Sequence, residues 1–350
     1  MGGVKQYIEA MCRAMIDQIS KTDELHIFHN RNTPYFNTKQ ENVFEVLMKS
    51  RNRLKCDLID APKAINDRNL DVVWFTKYVV PFGITAKTVT TVHDLAYYIP
   101  DLGAYTLGDT LYMRVMIRNS CRRADHIVAV SEHTKSDIVN RLGVSADKIT
   151  VIYEAADRRY HRPVDKDHVA LFREKNKLPD HFILFTGGIS PRKNLIRLIK
   201  AYRTARIQIP HRLVLTGGKG WRNKAVLKAI ENSPDIIRLG FVPDDKMPLL
   251  YAAADLFVYP TLYEGFGLPI LEAQACGTPV VCSNNSSLPE VAGDGVRFIL
   301  PSDVENIAST IVEVLTDVRM RRALSEKGRV NTARFSWNRA AGDLLKLLTK

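Results

Sequence analysis

Short β-branched runs recur along the whole chain, each followed by a stretch of helical periodicity, and this alternation restricts the fold to parallel sheets covered by helices on both faces. In the first half, strands are predicted over 25–28, 72–75, 89–92, 126–130 and 148–153, and helices over 5–19, 109–123 and 132–141. The sequence then turns polar and irregular at Glu154-Ala155-Ala156-Asp157-Arg158-Arg159, which marks a domain boundary. Alternation restarts at Phe182, with later strands over 212–216, 236–239, 256–259, 279–282 and 295–299. Helices are predicted over 195–205, 224–230, 247–253 and 270–275, with a helical tail over 319–350 interrupted at Phe335-Ser336-Trp337 by a serine suited to an N-cap. A chain of 350 residues is long enough for two separate cores.

Two Thr-Gly-Gly turns, at Thr186 and Thr216, follow strands at the edge where an open α/β sheet holds its ligands. The first continues as Gly187-Gly188-Ile189-Ser190-Pro191-Arg192-Lys193-Asn194. Arg192 presents a planar fork of donors and Lys193 a compact charge, a pair suited to neutralising a diphosphate rather than merely decorating an exposed loop. Further on, Glu264-Gly265-Phe266-Gly267-Leu268-Pro269 opens a helix that carries Glu272, with seven residues between the two glutamates. A glycine-flanked turn at a helix start offers amide N–H groups and the positive end of a dipole to an anion. The flanking carboxylates then suit hydroxyls, not phosphate.

Other patterns are weaker. Asp165-Lys166-Asp167 has the carboxylate spacing of a metal-dependent transferase but lies in a polar stretch, where a solvated linker is expected. Gly218-Lys219 lacks the remaining residues of a P-loop, and no Gly-x-Gly-x-x-Gly follows a first strand. The five cysteines form no C-x-x-C pair and read as small buried hydrophobes. No apolar run reaches the length of a membrane span, and no signal peptide is evident, so the cytoplasm is the expected location. The net charge of +12 draws the chain toward polyanions. Arg114, Arg118 and Arg122 share one face of the 109–123 helix, partly opposite Leu111, Val115 and Met116, and make peripheral contact with an anionic membrane an alternative to a solvated face.

Taken jointly, the two spaced glutamates around Gly265-Phe266-Gly267, the Ser190-Pro191-Arg192-Lys193-Asn194 loop, Leu239-Gly240-Phe241-Val242 and Pro279-Val280-Val281 resemble the retaining GT-B glycosyltransferases of family 4, mannosyltransferase-like members included. The resemblance spans nearly the whole chain. It implies an α/β fold of two Rossmann-like doubly wound domains facing a central cleft: residues 1–157 on the acceptor side, 158–333 binding the nucleotide sugar, and a C-terminal helix over 334–350 packing back on the first domain. It implies that Glu264 contacts the donor hexose and Glu272 the ribose. Backbone from Gly265 through Leu268 would hold phosphate and sugar, and Phe241-Val242 would meet the nucleobase. His93, in Thr91-Val92-His93-Asp94-Leu95 at a strand end, matches the histidine expected near the transferred sugar. Ser131 matches the next edge loop, where capping is its expected task.

The implied activity is transfer of a hexosyl group, of mannose or glucose type, from a nucleotide diphosphate sugar to a glycan or lipid-linked acceptor with retention. Surface polysaccharide or lipopolysaccharide assembly is the expected setting. No cofactor, metal or nucleic-acid partner is expected, and no residue stands out as a covalent nucleophile. The alternatives are a sugar-nucleotide epimerase or phosphorylase of the same architecture, or a non-catalytic nucleotide-sugar-binding subunit. Two departures from the family pattern stand out. The chain begins at the glycine pair Gly2-Gly3 without the preceding apolar strand, so the first domain is expected to lack a central strand, and Gly188 replaces an arginine common in relatives.

Overall fold

The computed structural model describes residues 2–30, 33–48, 55–103, 105–218, 220 and 224–349; Lys219 of the rejected P-loop pattern lies outside them. The chain divides into two compact units. One comprises residues 1–95, 111–154 and 336–350, the other residues 96–110 and 155–335. The first unit therefore ends at Glu154 rather than at 157. Residues 96–110 belong with the second unit because Ala96 and Leu102 bury against Tyr263.

In the first unit, β1 (Leu25–His29) pairs in parallel with β2 (Val43–Leu47), while β3 (Val72–Phe75), β4 (Lys87–Val92), β5 (His126–Ala129) and β6 (Ile149–Val151) form a separate parallel sheet in that order. A single doubly wound sheet is thus not what the described residues form. Gly2 is the extended N-cap of the helix Gly3–Ile16, which begins directly at the glycine pair. Its Tyr7 is fully buried, touches Trp74 and Trp337 edge-on at 6.1 and 5.8 Å, and places its hydroxyl 3.3 Å from Thr91 Oγ1. Trp337 opens the helix Trp337–Leu348, capped by Ser336, so the last helix packs on the first. Ser131 caps Glu132–Asp137 by accepting from Thr134 N at 3.0 Å. On the helix Leu107–Arg123, Leu111 and Val115 are exposed. The buried stripe is Met113, Ile117 and Cys121, not the apolar face expected opposite the arginines.

The second unit is a six-stranded parallel sheet in the order β12-β11-β10-β7-β8-β9, built from β7 (Phe182–Thr186), β8 (Arg212–Thr216), β9 (Ile236–Gly240), β10 (Leu256–Tyr259), β11 (Val280–Ser283) and β12 (Arg297–Ile299). Strands β7, β10 and β11 are buried along their whole length, because helices cover both faces. The helix Leu195–Ala205 buries Leu195, Leu198, Ile199 and Tyr202, the spacing of a single helical face, and lies against Val304–Thr316. From β7 the chain runs one way through β8 to β9 and later returns to the other side through β10 to β12. The order therefore reverses between β7 and β10, and such a switch point is where an open α/β sheet leaves a crevice at its carboxyl edge. Asp165 is the N-cap of the helix Lys166–Lys175, its side chain accepting from Asp167 N at 2.9 Å, so the Asp-Lys-Asp stretch is a helix start and not a linker.

Candidate active site

Both strands flanking the switch point end in loops that carry charge. After β7, Gly187 takes φ +141°, and after β8, Gly217 takes φ +136°. The two turns are bonded side by side: Gly187 N donates to Thr216 O at 2.9 Å and Gly217 N to Gly240 O at 2.8 Å. A Cβ on Gly217 would collide with the Gly187 carbonyl, so the close approach needs glycine. Gly188 faces open space, with nothing within 4 Å of where a Cβ would stand. The chain then enters a short 3₁₀ turn, Pro191–Lys193, and Asn194 in the left-handed region ends it. Asn194 Nδ2 donates to the carbonyls of Pro260 at 3.0 Å and Pro301 at 2.6 Å, and these bonds fix the loop against the segment that follows β10.

That segment brings Glu264 to the two cations. Arg192 Nη1 donates to Glu264 Oε2 at 2.7 Å and to the Tyr263 carbonyl at 2.8 Å. Lys193 Nζ donates to Glu264 Oε1 at 2.7 Å and to the Tyr259 hydroxyl at 2.6 Å. Glu264 is 7% exposed. Burial pushes its pKa up, but the charges and hydrogen bonds of Arg192 and Lys193 outweigh burial and hold the carboxyl below the usual glutamate value. Burial, and next the Glu264 charge, push Tyr259 well up, so it remains a phenol. The trio carries one net positive charge in a buried setting. The loop itself is held by serines, since Glu264 N donates to Ser286 Oγ at 3.1 Å and Ser287 Oγ lies 3.0 and 2.8 Å from the carbonyls of Glu264 and Phe266.

Gly267, at φ +112°, starts the helix Leu268–Ala275, with Pro269 in its first turn. Glu272 on this helix is buried and accepts from Tyr251 Oη at 2.9 Å; Tyr251 in turn sits 3.0 Å from Thr186 Oγ1. Tyr160 also bonds Glu272, and burial, reinforced by the Glu272 charge, raises the pKa of both phenols. The two spaced glutamates thus serve different neighbours: Glu264 binds cations, Glu272 binds phenols. Phe241 and Val242 follow β9 at the same carboxyl edge, and Phe241 is exposed.

In the first unit, His93 follows β4 and is 6% exposed. Nε2 is 2.9 Å from the Thr76 carbonyl, which can only accept, so Nε2 carries a proton in this arrangement. Nδ1 lies 3.4 Å from Glu154 Oε1, and the ring meets Tyr7 edge-on at 4.7 Å. Both nitrogens are engaged within the unit. Sequence reasoning did not single out Tyr160, Tyr251 and Tyr259 beside the two glutamates of the second unit, nor Glu154 beside His93 in the first, which read as part of a polar boundary.

At the switch point, then, the parallel sheet of the second unit carries a buried Arg–Lys–Glu cluster beside a helix start. The family model of Glycosyltransferase Family 4 matches residues 1–160, and that of Glycosyl transferases group 1 matches residues 169–331. The chain is 36% identical over 258 residues to the O-antigen chain mannosyltransferase B of Escherichia coli, covering 72% of this chain and 67% of that one. It is 33% identical over 267 residues to the serotype-specific mannosyltransferase WbdA of Escherichia coli, of which it spans 32%. Among solved structures, that of Anabaena Alr3699/HepE in complex with UDP-glucose superposes with a TM-score of 0.80 at 19% identity, over 100% of this chain and 96% of that one. The chain belongs to the family 4, group 1 glycosyltransferases, and its fold is GT-B. Among the described residues, no helix is long and apolar enough to cross a membrane.

Proposed function

We propose that the chain transfers a hexosyl group, of mannose type, from a nucleotide diphosphate sugar to a glycan or lipid-linked acceptor with retention of configuration. The Arg192–Lys193–Glu264 cluster at the switch point carries this reading. In the transfer, the bond from the anomeric carbon to the phosphate oxygen breaks and a bond to the acceptor oxygen forms on the same face; the acceptor proton passes to the leaving phosphate. Arg192, Lys193 and the helix start behind Gly267 face the negative charge that grows on the leaving group. Glu264 accepts from a sugar hydroxyl while holding the two cations, and Glu272 accepts from the ribose alongside Tyr251. The backbone of Gly265–Leu268 holds phosphate and sugar, and Phe241-Val242 meets the base. With two side-chain cations supplying charge, no metal is assigned to this step. The expected role of His93 at the sugar requires Nε2 to exchange the Thr76 carbonyl for a sugar hydroxyl. The names of the mannosyltransferase relatives favour mannose and an O-antigen-type glycan acceptor. Peripheral contact with an anionic membrane through Arg118 and Arg122 fits a lipid-linked acceptor.

The test begins with a thermal-shift screen against GDP, UDP, ADP and TDP sugars, where a ligand at a hundred times its Kd adds about 2.7 kcal/mol. With the donor so named, replacing both Arg192 and Lys193 by alanine should lower turnover on the order of a hundredfold or more. Undiminished turnover in that variant overturns the assignment, and donor binding without any transfer favours the non-catalytic subunit.

A further inference from the structure

The opposite edge of the second unit's sheet carries a cluster the transfer reaction does not use. His181, His211 and Asp255 each stand one residue before a strand, β7, β8 and β10. Those three strands are adjacent and parallel, so their first residues line up at one edge. Backbone pairing sets the register: Arg212 N donates to the His181 carbonyl at 3.0 Å, and Asp255 N to the Phe182 carbonyl at 3.1 Å. His181 Nδ1 lies 3.5 Å and His211 Nε2 3.7 Å from Asp255 Oδ2. The two rings are 5.3 Å apart, and one ligand atom from each of the three residues lies within 4.8 Å of the others.

His211 makes this more than a chance grouping. It is 8% exposed, and neither ring nitrogen has a hydrogen-bond partner among the described residues. A buried imidazole without partners has given up its water bonds for nothing, and such a group in a native site calls for a ligand or ion. Burial pushes its pKa below the usual histidine value against the pull of Asp255, with help from the His181 and Arg321 charges.

We propose that His181, His211 and Asp255 bind a divalent transition-metal ion of the zinc type, completed by water. Two imidazoles and a carboxylate suit such an ion, whose bonds of about 2.0–2.2 Å set neighbouring ligands of a tetrahedron roughly 3.3–3.6 Å apart. The two separations to Asp255 already approach that spacing, and rotation of the exposed His181 ring closes the third. His181 also leaves the site open to entry and to a water ligand. Asp255 Oδ2 accepts from Phe182 N at 2.9 Å, an outer hydrogen bond of the kind that orients a metal-binding carboxylate. Arg321 opposes a dication, and the Asp255 charge offsets it. The five residues of β7, at about 3.3 Å each, separate this edge from the donor loops, so the ion ties together the beginnings of three strands and takes no part in transfer.

The experiment uses the full chain, stripped with a chelator, dialysed and titrated with zinc chloride alone. The wild type should take up one equivalent of zinc that the His181→Ala protein lacks or binds at least tenfold more weakly, and zinc should raise the melting temperature of the wild type only. Since His181 is exposed, its variant should match the metal-free wild type in circular dichroism and melting. Asp255→Asn provides a second variant with the same expected loss. The proposal is overturned if the stripped wild type takes up no zinc, or if both variants bind it with wild-type stoichiometry and affinity.

Discussion

Replacing Glu264 by glutamine keeps the shape of the side chain and removes its charge. Two charge-assisted bonds of 2.7 Å weaken, and Arg192 and Lys193, both nearly buried, lose the carboxylate charge they share. Removing one partner of a buried ion pair costs about 3–5 kcal/mol. Arg192 retains the Tyr263 carbonyl and Lys193 retains the Tyr259 hydroxyl, which places the expected loss at the lower end, about 3 kcal/mol. For a unit of this size, each kcal/mol moves the melting temperature by roughly 2–4 °C, so calorimetry should show a drop of roughly 6–12 °C at neutral pH. The sign of the pH dependence follows from the depressed carboxyl. Its folded-state pKa lies below the unfolded value of about 4.3, so its stabilisation is complete above that value and is lost as pH falls through the folded pKa. The gap between wild type and Glu264→Gln should therefore be widest near neutrality and narrow in acid. A gap under 1 kcal/mol at pH 7, or one that stays constant into acid, refutes the reasoning.

Gly267→Ala places a Cβ 2.8 Å from Leu288 Cδ2 in a backbone at φ +112°, and should cost about 1–3 kcal/mol in chemical denaturation; an unchanged midpoint would show that the turn relaxes freely. Tyr251→Phe removes the hydroxyl that joins Thr186 to Glu272, both buried, and should cost about 1–3 kcal/mol in thermal unfolding. A neutral result there would mean that Tyr160 satisfies Glu272 unaided.

How much of this was legible depended on whether a residue's meaning was local. The strands β7, β8 and β10 are continuous apolar runs, and the sequence marks them within a residue or so. Strand β2 escaped because its middle is Glu45, whose carboxylate accepts from the amides of Phe36 and Asn37, and because Phe44 and Leu47 are exposed. Asp165-Lys166-Asp167 read as a linker since the helix it opens, Lys166–Lys175, buries Phe172 alone among the described residues. At the site, Arg192, Lys193 and Glu264 each stood out in their own loops. Their direct pairing did not, because it arises from the reversal of strand order between β7 and β10. For the same reason His181, His211 and Asp255 carry no motif: each is one residue before a strand, and adjacency in the sheet makes them neighbours.

The last helix bears on how the protein is made. Trp337 and the buried Ala340, Ala341 and Leu344 complete the core of the unit that begins with Tyr7. Synthesis proceeds at about 5–20 residues per second, and domains fold as they emerge. Residues 96–110 and 155–335 of the second unit are all translated before residues 336–350, which the first unit needs to close its core, so the first unit is completed last for all that it starts earlier. A chain interrupted before residue 336 is thus expected to leave Tyr7 without the Trp337 ring against it and the core of the first unit open on that side.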